Sequence, residues 1–204
     1  HMNNDWAFDR GEVNNGARTD LDDSSWMPIV IPHIMQLETK HCGGNTIYDG
    51  IGWYRRYFTL SKAYKNKRVV VSFEGVMTNC EVYLNGEKIT THHGGYLGFI
   101  ADLTGRIRWD ENNVLAVRVS AAHDPLTPPG KPQERMDFYY YSGIYRDVHM
   151  VITDKVYITD ELQEDIVAGG GQFITSPEVS PEFARTHVST HIRNLSDKGM
   201  YLQV

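Results

Sequence analysis

Runs of alternating apolar and polar residues, each cut short by a turn signal, recur along this chain, while helical periodicity is almost absent. A period of two puts successive side chains on opposite faces of a strand; a helix needs apolar residues three and four apart. The clearest run is Cys80 to Leu84, where Cys80, Val82 and Leu84 alternate with Glu81 and Tyr83. Asn85-Gly86 comes next, a dipeptide that tolerates the positive φ of a type I′ hairpin turn, and Glu87 to Thr91 reads as the returning strand. The same pattern predicts strands over Trp53 to Leu60, Arg68 to Phe73, Asn113 to Ser120 and Gly143 to Thr153. Val69, Val71 and Phe73 share one face of theirs. Many short strands at this spacing indicate an all-β fold, a sandwich or jelly roll.

The chain has 204 residues, room for one large β domain or for one domain and part of a second. Its 41% hydrophobic and 23% charged content suits a substantial core. A net charge of −6 argues against nucleic acid, because neutralising phosphates takes clustered Lys and Arg. The densest basic run, Lys62 to Arg68, reads as a solvated turn between strands. No apolar run reaches the ~18 residues of a membrane-spanning helix, and the N-terminus has no signal-peptide pattern. His1-Met2 reads as a cloning scar. Cys42 and Cys80 lack metal-ligand spacing and are expected to be free buried thiols rather than a disulfide. His92-His93 reads as a polar loop, since neighbours on a strand point to opposite faces and cannot share one metal ion. No residue set is chosen as metal ligands.

From Thr153 to Pro181 the character changes: an acidic patch (Asp160 to Asp165), then Gly169-Gly170-Gly171 and two prolines. His187 to Ile192 alternates afresh, and Asn194 to Gly199 reads as a turn. Too few residues remain to close a second β domain, so the last 50 or so read as its opening.

The run Asp137-Phe138-Tyr139-Tyr140-Tyr141, ahead of Ser142-Gly143-Ile144-Tyr145-Arg146-Asp147-Val148, carries the chemistry. Aromatic faces suit the C–H faces of a pyranose, and a carboxylate accepts hydrogen bonds from its hydroxyls. The same run also suits a plain sheet corner.

Four segments resemble the N-terminal sugar-binding domain of glycoside hydrolase family 2, the β-galactosidases, β-glucuronidases and β-mannosidases. Asp22-Asp23-Ser24-Ser25-Trp26 with Ile31-Pro32-His33 is similar to its opening segment, and Gly52-Trp53-Tyr54-Arg55-Arg56-Tyr57-Phe58 to its Gly-x-Tyr-Arg-x-x-Phe strand. Phe73-Glu74-Gly75-Val76 through Val82-Tyr83-Leu84-Asn85-Gly86, then Gly94-Gly95-Tyr96 to Asp102-Leu103-Thr104, resembles its central hairpin and the strand after it. Ser142 to Val148 resembles the segment that ends the domain. The resemblance runs in order over roughly residues 5 to 152. Phe173 to Val179 and His187 to Asn194 are similar to the first strands of the immunoglobulin-like domain that comes next in this family.

The resemblance implies a galactose-binding-domain-like jelly roll over residues 3–152. A linker and first strand over 153–181 and a truncated immunoglobulin-like sandwich over 182–204 would complete the chain. The family's catalytic (β/α)₈ barrel lies beyond these and holds both glutamates of a retaining mechanism, about 5 Å apart, so no catalytic residue is assigned here. No organic cofactor is implied; the parent enzyme can carry a monovalent or divalent cation. The implied partners are a carbohydrate, a β-galactoside or related glycoside, and the barrel itself, with neither nucleic acid nor membrane. The compartment is left open, with a periplasmic or extracellular home compatible with the sequence.

Asp137 stands six residues before Gly143, where the family places an Asp that contacts substrate hydroxyls. The chemistry of the residues alone also allows it to cap a turn or pair with Arg135. Strand alternation would put Tyr139 and Tyr141 on Asp137's face, making Tyr139 the second substrate-binding candidate, and Phe138 and Tyr140 in the core. Arg146-Asp147 reads as a structural salt bridge; Trp26, Trp53 and Tyr54 read as core. Leu37 to Gly50 reads as a surface loop. Three readings stand: part of a glycosidase, a self-sufficient carbohydrate-binding module, or a structural sandwich. Because one Asp and one Tyr form half a site, the isolated chain is expected not to bind galactosides, mannosides or glucuronides.

Overall fold

A computed structural model of the chain describes residues 1–37, 46–167 and 169–203. Two compact units emerge: residues 1–65 with 69–151, and residues 66–68 with 152–204.

The first unit contains β1 (Trp6–Arg10), β2 (Met27–Ile29), β3 (Ile51–Thr59), β4 (Arg68–Phe73), β5 (Val76–Met77), β6 (Asn79–Leu84) and β7 (Glu87–His93). β8 (Phe99–Asp102), β9 (Asn112–Ser120), β10 (Gly143–Ile144) and β11 (Val148–Thr153) complete it. One layer is a six-stranded sheet in the order β2-β1-β3-β9-β6-β7; opposite lie β11-β4-β8 and the pair β10-β5. All the registers that can be read are antiparallel, as a sandwich built of hairpins and crossovers requires.

Alternation decides what is buried. Cys80, Val82 and Leu84 point inward from β6 while Glu81 and Tyr83 point out. Across β9 and β3, Leu115, Val117 and Val119 share the inner face with Tyr54, and Val69, Val71 and Phe73 line the other layer. Each such side chain contributes about 1.5–3 kcal/mol by leaving water. A His92 ring stacked on Phe99 at 4.2 Å ties β7 to β8. Cys80 is a buried free thiol, pushed up in pKa by that burial; Cys42 and the centre of the Leu37 to Gly50 loop lie outside the described residues.

Asn85 (φ 52°) and Gly86 (φ 89°) make the turn between β6 and β7. The fully buried Asn113 anchors this turn: its Oδ1 accepts from Asn85 Nδ2 at 2.9 Å and from the Arg108 amide at 2.9 Å.

Three expectations need correction here. His92-His93 is not a loop but the end of β7, because the hairpin returns two residues further than Thr91. Trp26 is only half buried, its ring 5.7 Å from the Arg55 guanidinium rather than in the core. Arg146 and Asp147 form no salt bridge with each other, because each side chain is engaged elsewhere. Arg146 lies over the Tyr145 ring at 5.4 Å, and Asp147 accepts from Asn3 Nδ2 at 3.0 Å.

Between β1 and β2 the chain makes an excursion over residues 11–26 across the outer face of the six-stranded sheet, held by Arg55. Its side chain is fully buried; Nε donates to Asp23 Oδ2 at 2.7 Å and Nη1 to the carbonyls of Gly16 and Arg18 at 2.6 and 3.0 Å. At the other end of the sequence order, the Met2 amide donates to Val148 O at 2.7 Å and the Val148 amide to Asn3 Oδ1 at 3.0 Å.

The second unit contains β12 (Val156–Ile158), the one-turn helix α1 (Glu161–Glu164), β13 (Gln172–Val179), β14 (Ala184–Thr190) and β15 (Ile192–Asn194). β12 pairs with β15 and β13 with β14. Asp160 caps α1, accepting from the amides of Leu162 and Gln163, so the acidic patch is partly a helix start.

Candidate functional site

The segment carrying Asp137 leaves β9 through a proline-rich stretch, makes a 3-10 turn at Gln133–Arg135 and enters β10. Gln133 is buried, and its Nε2 donates to Phe138 O at 2.9 Å, closing residues 134–137 into a loop. A second clamp lies just beyond. The amides of His33 and Met35 donate to the carbonyls of Ile144 and Ser142, each at 2.8 Å.

Gly143 fits between these chains because it has no side chain. Its φ is +133°, and a Cβ there would lie 2.6 Å from both His33 O and Tyr54 Oη. Tyr54, fully buried, meets His33 Nδ1 at 3.0 Å. Burial holds the His33 pKa below its ordinary value and pushes that of Tyr54 up.

On this framework Asp137 and Phe138 are exposed, while Tyr139, Tyr140 and Tyr141 are half buried. Among the described residues no ion pair joins Asp137 to Arg135 or to any other cation. The strand alternation expected here is absent: residues 136–142 form no strand, since the Gln133 bond turns the backbone and no neighbouring strand imposes a period of two. Tyr139 therefore meets both of its neighbours, Tyr141 edge-on at 4.8 Å and Tyr140 nearly parallel at 6.4 Å. Phe138, assigned to the core, is 55% exposed. Tyr139 and Tyr140 line a small cavity of about 40 Å³ with Tyr48, Asp49, His123 and Glu134; Asp137 is not in its wall. Burial, with Tyr96 and Glu134 close by, raises the Tyr140 pKa.

What this end can do is present one exposed carboxylate beside a cluster of aromatic edges, a geometry for accepting hydroxyl hydrogen bonds and packing C–H faces. Sequence reasoning missed Gln133, a polar residue in a loop whose burial has no sequence signal. It also missed that Tyr54 and His33 brace Gly143. Elsewhere His1, Asp147 and His149 bring ligand atoms within 4.8 Å of one another, but Asp147 is engaged by Asn3, His149 bonds Glu74 at 2.9 Å, and His1 belongs to the pair read as a scar.

The family model described as glycosyl hydrolases family 2, sugar binding domain, matches residues 3–154. The chain belongs to this family. It is 32% identical over 203 residues to the β-galactosidase BoGH2A of Bacteroides ovatus, covering 96% of this chain and 22% of that protein. It is 28% identical to a β-glucuronidase of Bacteroides fragilis, covering 97% of this chain and 26% of that one. Among solved structures, β-glucuronidase 2 of Bacteroides uniformis, covalently bound to cyclophellitol-6-carboxylate aziridine, matches with a TM-score of 0.82 and 29% identity over 96% of this chain and 22% of its own. The chain thus spans about a quarter of the length of the family 2 proteins it matches. A sugar-binding domain takes carbohydrate as its ligand class.

Proposed function

We propose that this chain is the sugar-binding part of a longer retaining glycosidase, inactive by itself, in which Asp137 accepts hydrogen bonds from substrate hydroxyls at the mouth of a catalytic barrel. Tyr139 would line the same wall. The observation that carries this is positional: within the family match, Asp137 precedes Gly143 by six residues, and Gln133 and the His33–Met35 clamp hold its loop at the end of the sandwich. Residues 153–181 then serve as linker and first strand, and 182–204 as the opening of an immunoglobulin-like domain.

The test is Asp137→Ala in the full-length enzyme. Loss of kcat/KM on an aryl glycoside by more than about threefold supports the role, and a smaller effect, under about 0.7 kcal/mol of transition-state binding, refutes it. A β-galactoside is the preferred substrate. A β-glucuronide is the second reading, favoured by the number of relatives and solved structures that bear that name. Turnover of paired aryl β-galactoside and β-glucuronide separates the two.

A further inference from the structure

A cavity much larger than the one beside Tyr139 and Tyr140 lies elsewhere on the first unit. It is a groove of about 690 Å³ on the outer face of the six-stranded sheet, walled on one side by the backbone of residues 13–18 of the excursion. That volume falls within the ~300–1,000 Å³ of small-molecule sites.

Its floor is set by strand register. Trp53 on β3, Arg118 on β9 and Glu81 on β6 are direct cross-strand neighbours, so their side chains stand in one row. In the next row Tyr83 pairs with Ala116. The Trp53 and Tyr83 rings lie 5.8 Å apart and 32° from parallel; Trp53 is only 4% exposed, packed beneath Gly16, so the half-buried Tyr83 ring is the aromatic surface the groove offers. Arg118 sits between two carboxylates: Nε lies 3.0 Å from Glu12 Oε2, and Nη1 lies 3.9 Å from Glu81 Oε2. The latter is too long for a hydrogen bond, so the Nη1 protons can turn to a ligand. Glu81 also accepts from Tyr83 Oη and Lys88 Nζ, both at 2.9 Å, and Glu12 from Trp53 Nε1 at 3.0 Å. Each carboxylate has about four acceptor positions, so Glu81 retains capacity.

Charge selects the ligand. The lining carries two carboxylates, Glu12 and Glu81, and two guanidiniums, Arg18 and Arg118, so the groove combines dense hydrogen bonding with no net charge. A strongly charged ligand gains nothing there. A neutral polyhydroxy ligand gains the Arg118 Nη1 donor, the remaining Glu81 acceptor positions for its hydroxyls and the Tyr83 ring for its C–H face. We infer that this groove is a second carbohydrate site, separate from the Asp137 end, that binds a short neutral oligosaccharide. It goes beyond the role proposed for Asp137 and does not depend on it. Holding a glycan there would keep substrate near the domain without touching the scissile bond.

The experiment is titration of the 204-residue chain with β-1,4-galactotetraose, read by calorimetry and by tryptophan emission. Saturable binding with Kd on the order of 1 mM is expected, with a change in emission from Trp53, which packs against Tyr83 beneath the groove. Tyr83→Ala and Glu81→Gln should each weaken binding by about tenfold, and Asp137→Ala by less than about twofold. Glu81→Gln preserves volume and keeps the test valid if Tyr83→Ala does not fold. A tetragalacturonate probe should bind at least about tenfold more weakly, as the charge argument requires. No saturable binding up to roughly 20 mM, binding indifferent to both groove variants, binding abolished by Asp137→Ala, or equal affinity for the acidic probe would each overturn the inference. The Asp137 proposal stands or falls separately, on kinetics of the full-length enzyme.

Discussion

Arg55 offers the sharpest quantitative check on how the outer face is built. Its guanidinium is fully buried, with Asp23 as its charged partner and the Gly16 and Arg18 carbonyls and Tyr57 Oη completing its shell. Asp23→Ala leaves that charge buried without a counterion, which costs about 3–5 kcal/mol. Arg55→Met removes the charge but strands two carbonyls under the excursion; at about 1–1.5 kcal/mol each, the cost is about 2–3 kcal/mol. In the double variant no buried charge remains, so its cost should fall short of the sum of the two by about 1–3 kcal/mol. Urea unfolding monitored by tryptophan emission reads these differences, since Trp26 and Trp53 flank the pair. With m near 2 kcal/mol/M, a loss of 3 kcal/mol moves the midpoint down by about 1.5 M. Trypsin cleavage at Arg18 should accelerate in parallel, because that bond lies in the segment Arg55 holds. A midpoint shift below about 0.5 M for Asp23→Ala, or strict additivity in the double variant, would refute the claim that one buried ion pair pins the excursion.

Other outcomes rest on the same geometry. Gly143→Ala places a methyl 2.6 Å from His33 O and Tyr54 Oη at a φ of +133°, so it should cost at least about 3 kcal/mol in chemical denaturation or prevent folding. Gln133→Ala should free Phe138 O at a cost of about 1–2 kcal/mol, seen as faster chymotryptic cleavage at residues 138–141 without a change in the sandwich's circular dichroism. Burial lowers the pKa values of His33 and His92, so below their ordinary value of 6.5 the unfolded chain takes up protons that the folded chain refuses. Stability is therefore complete above that pH and should decline below it by at most about 1.4 kcal/mol per pH unit for each histidine. Melting from pH 8 to 5 measures the slope, and His92→Phe, which preserves the stack on Phe99, should reduce it. A second decline should come below the ordinary carboxylate value of 4.5. There Glu12 and Glu81, whose pKa values are lowered chiefly by hydrogen bonds from Arg118 and Lys88 respectively, lose the folded-state advantage of their ionised forms.

The sandwich was legible because its signal is local. Cys80 to Leu84 states its own faces, and Asn85-Gly86 states its own turn, so β6 and β7 need no tertiary information beyond where the return ends. Gly143 was legible as part of a motif, though its reason, the approach of His33 and Tyr54, is tertiary. The Asp137 segment resisted the same logic because no strand pairs with it, and without a ladder the period of two has nothing to enforce it. Its shape is set by Gln133, whose burial depends on partners from distant parts of the chain. The groove was illegible for a related reason. Glu81 and Arg118 are ordinary surface residues in sequence; only the register of β9 and β6 sets them side by side, and only the excursion brings Glu12 to Arg118.

The bonds that join Met2 and Asn3 to Asp147 and Val148 fix when this domain can be finished. A ribosome releases the beginning of the domain first, yet the partners of that beginning are among the last residues of the sandwich to be made. At about 5–20 residues per second the N-terminal segment waits roughly 7–30 s for them. Through that interval β1 has β2 and β3 to pair with, but the amide of Met2 and the side chain of Asn3 have only water. The sandwich is thus a ring closed at its seam by the final strand to emerge, and cutting the ring elsewhere, with the old ends joined by a short linker, should leave the same molecule.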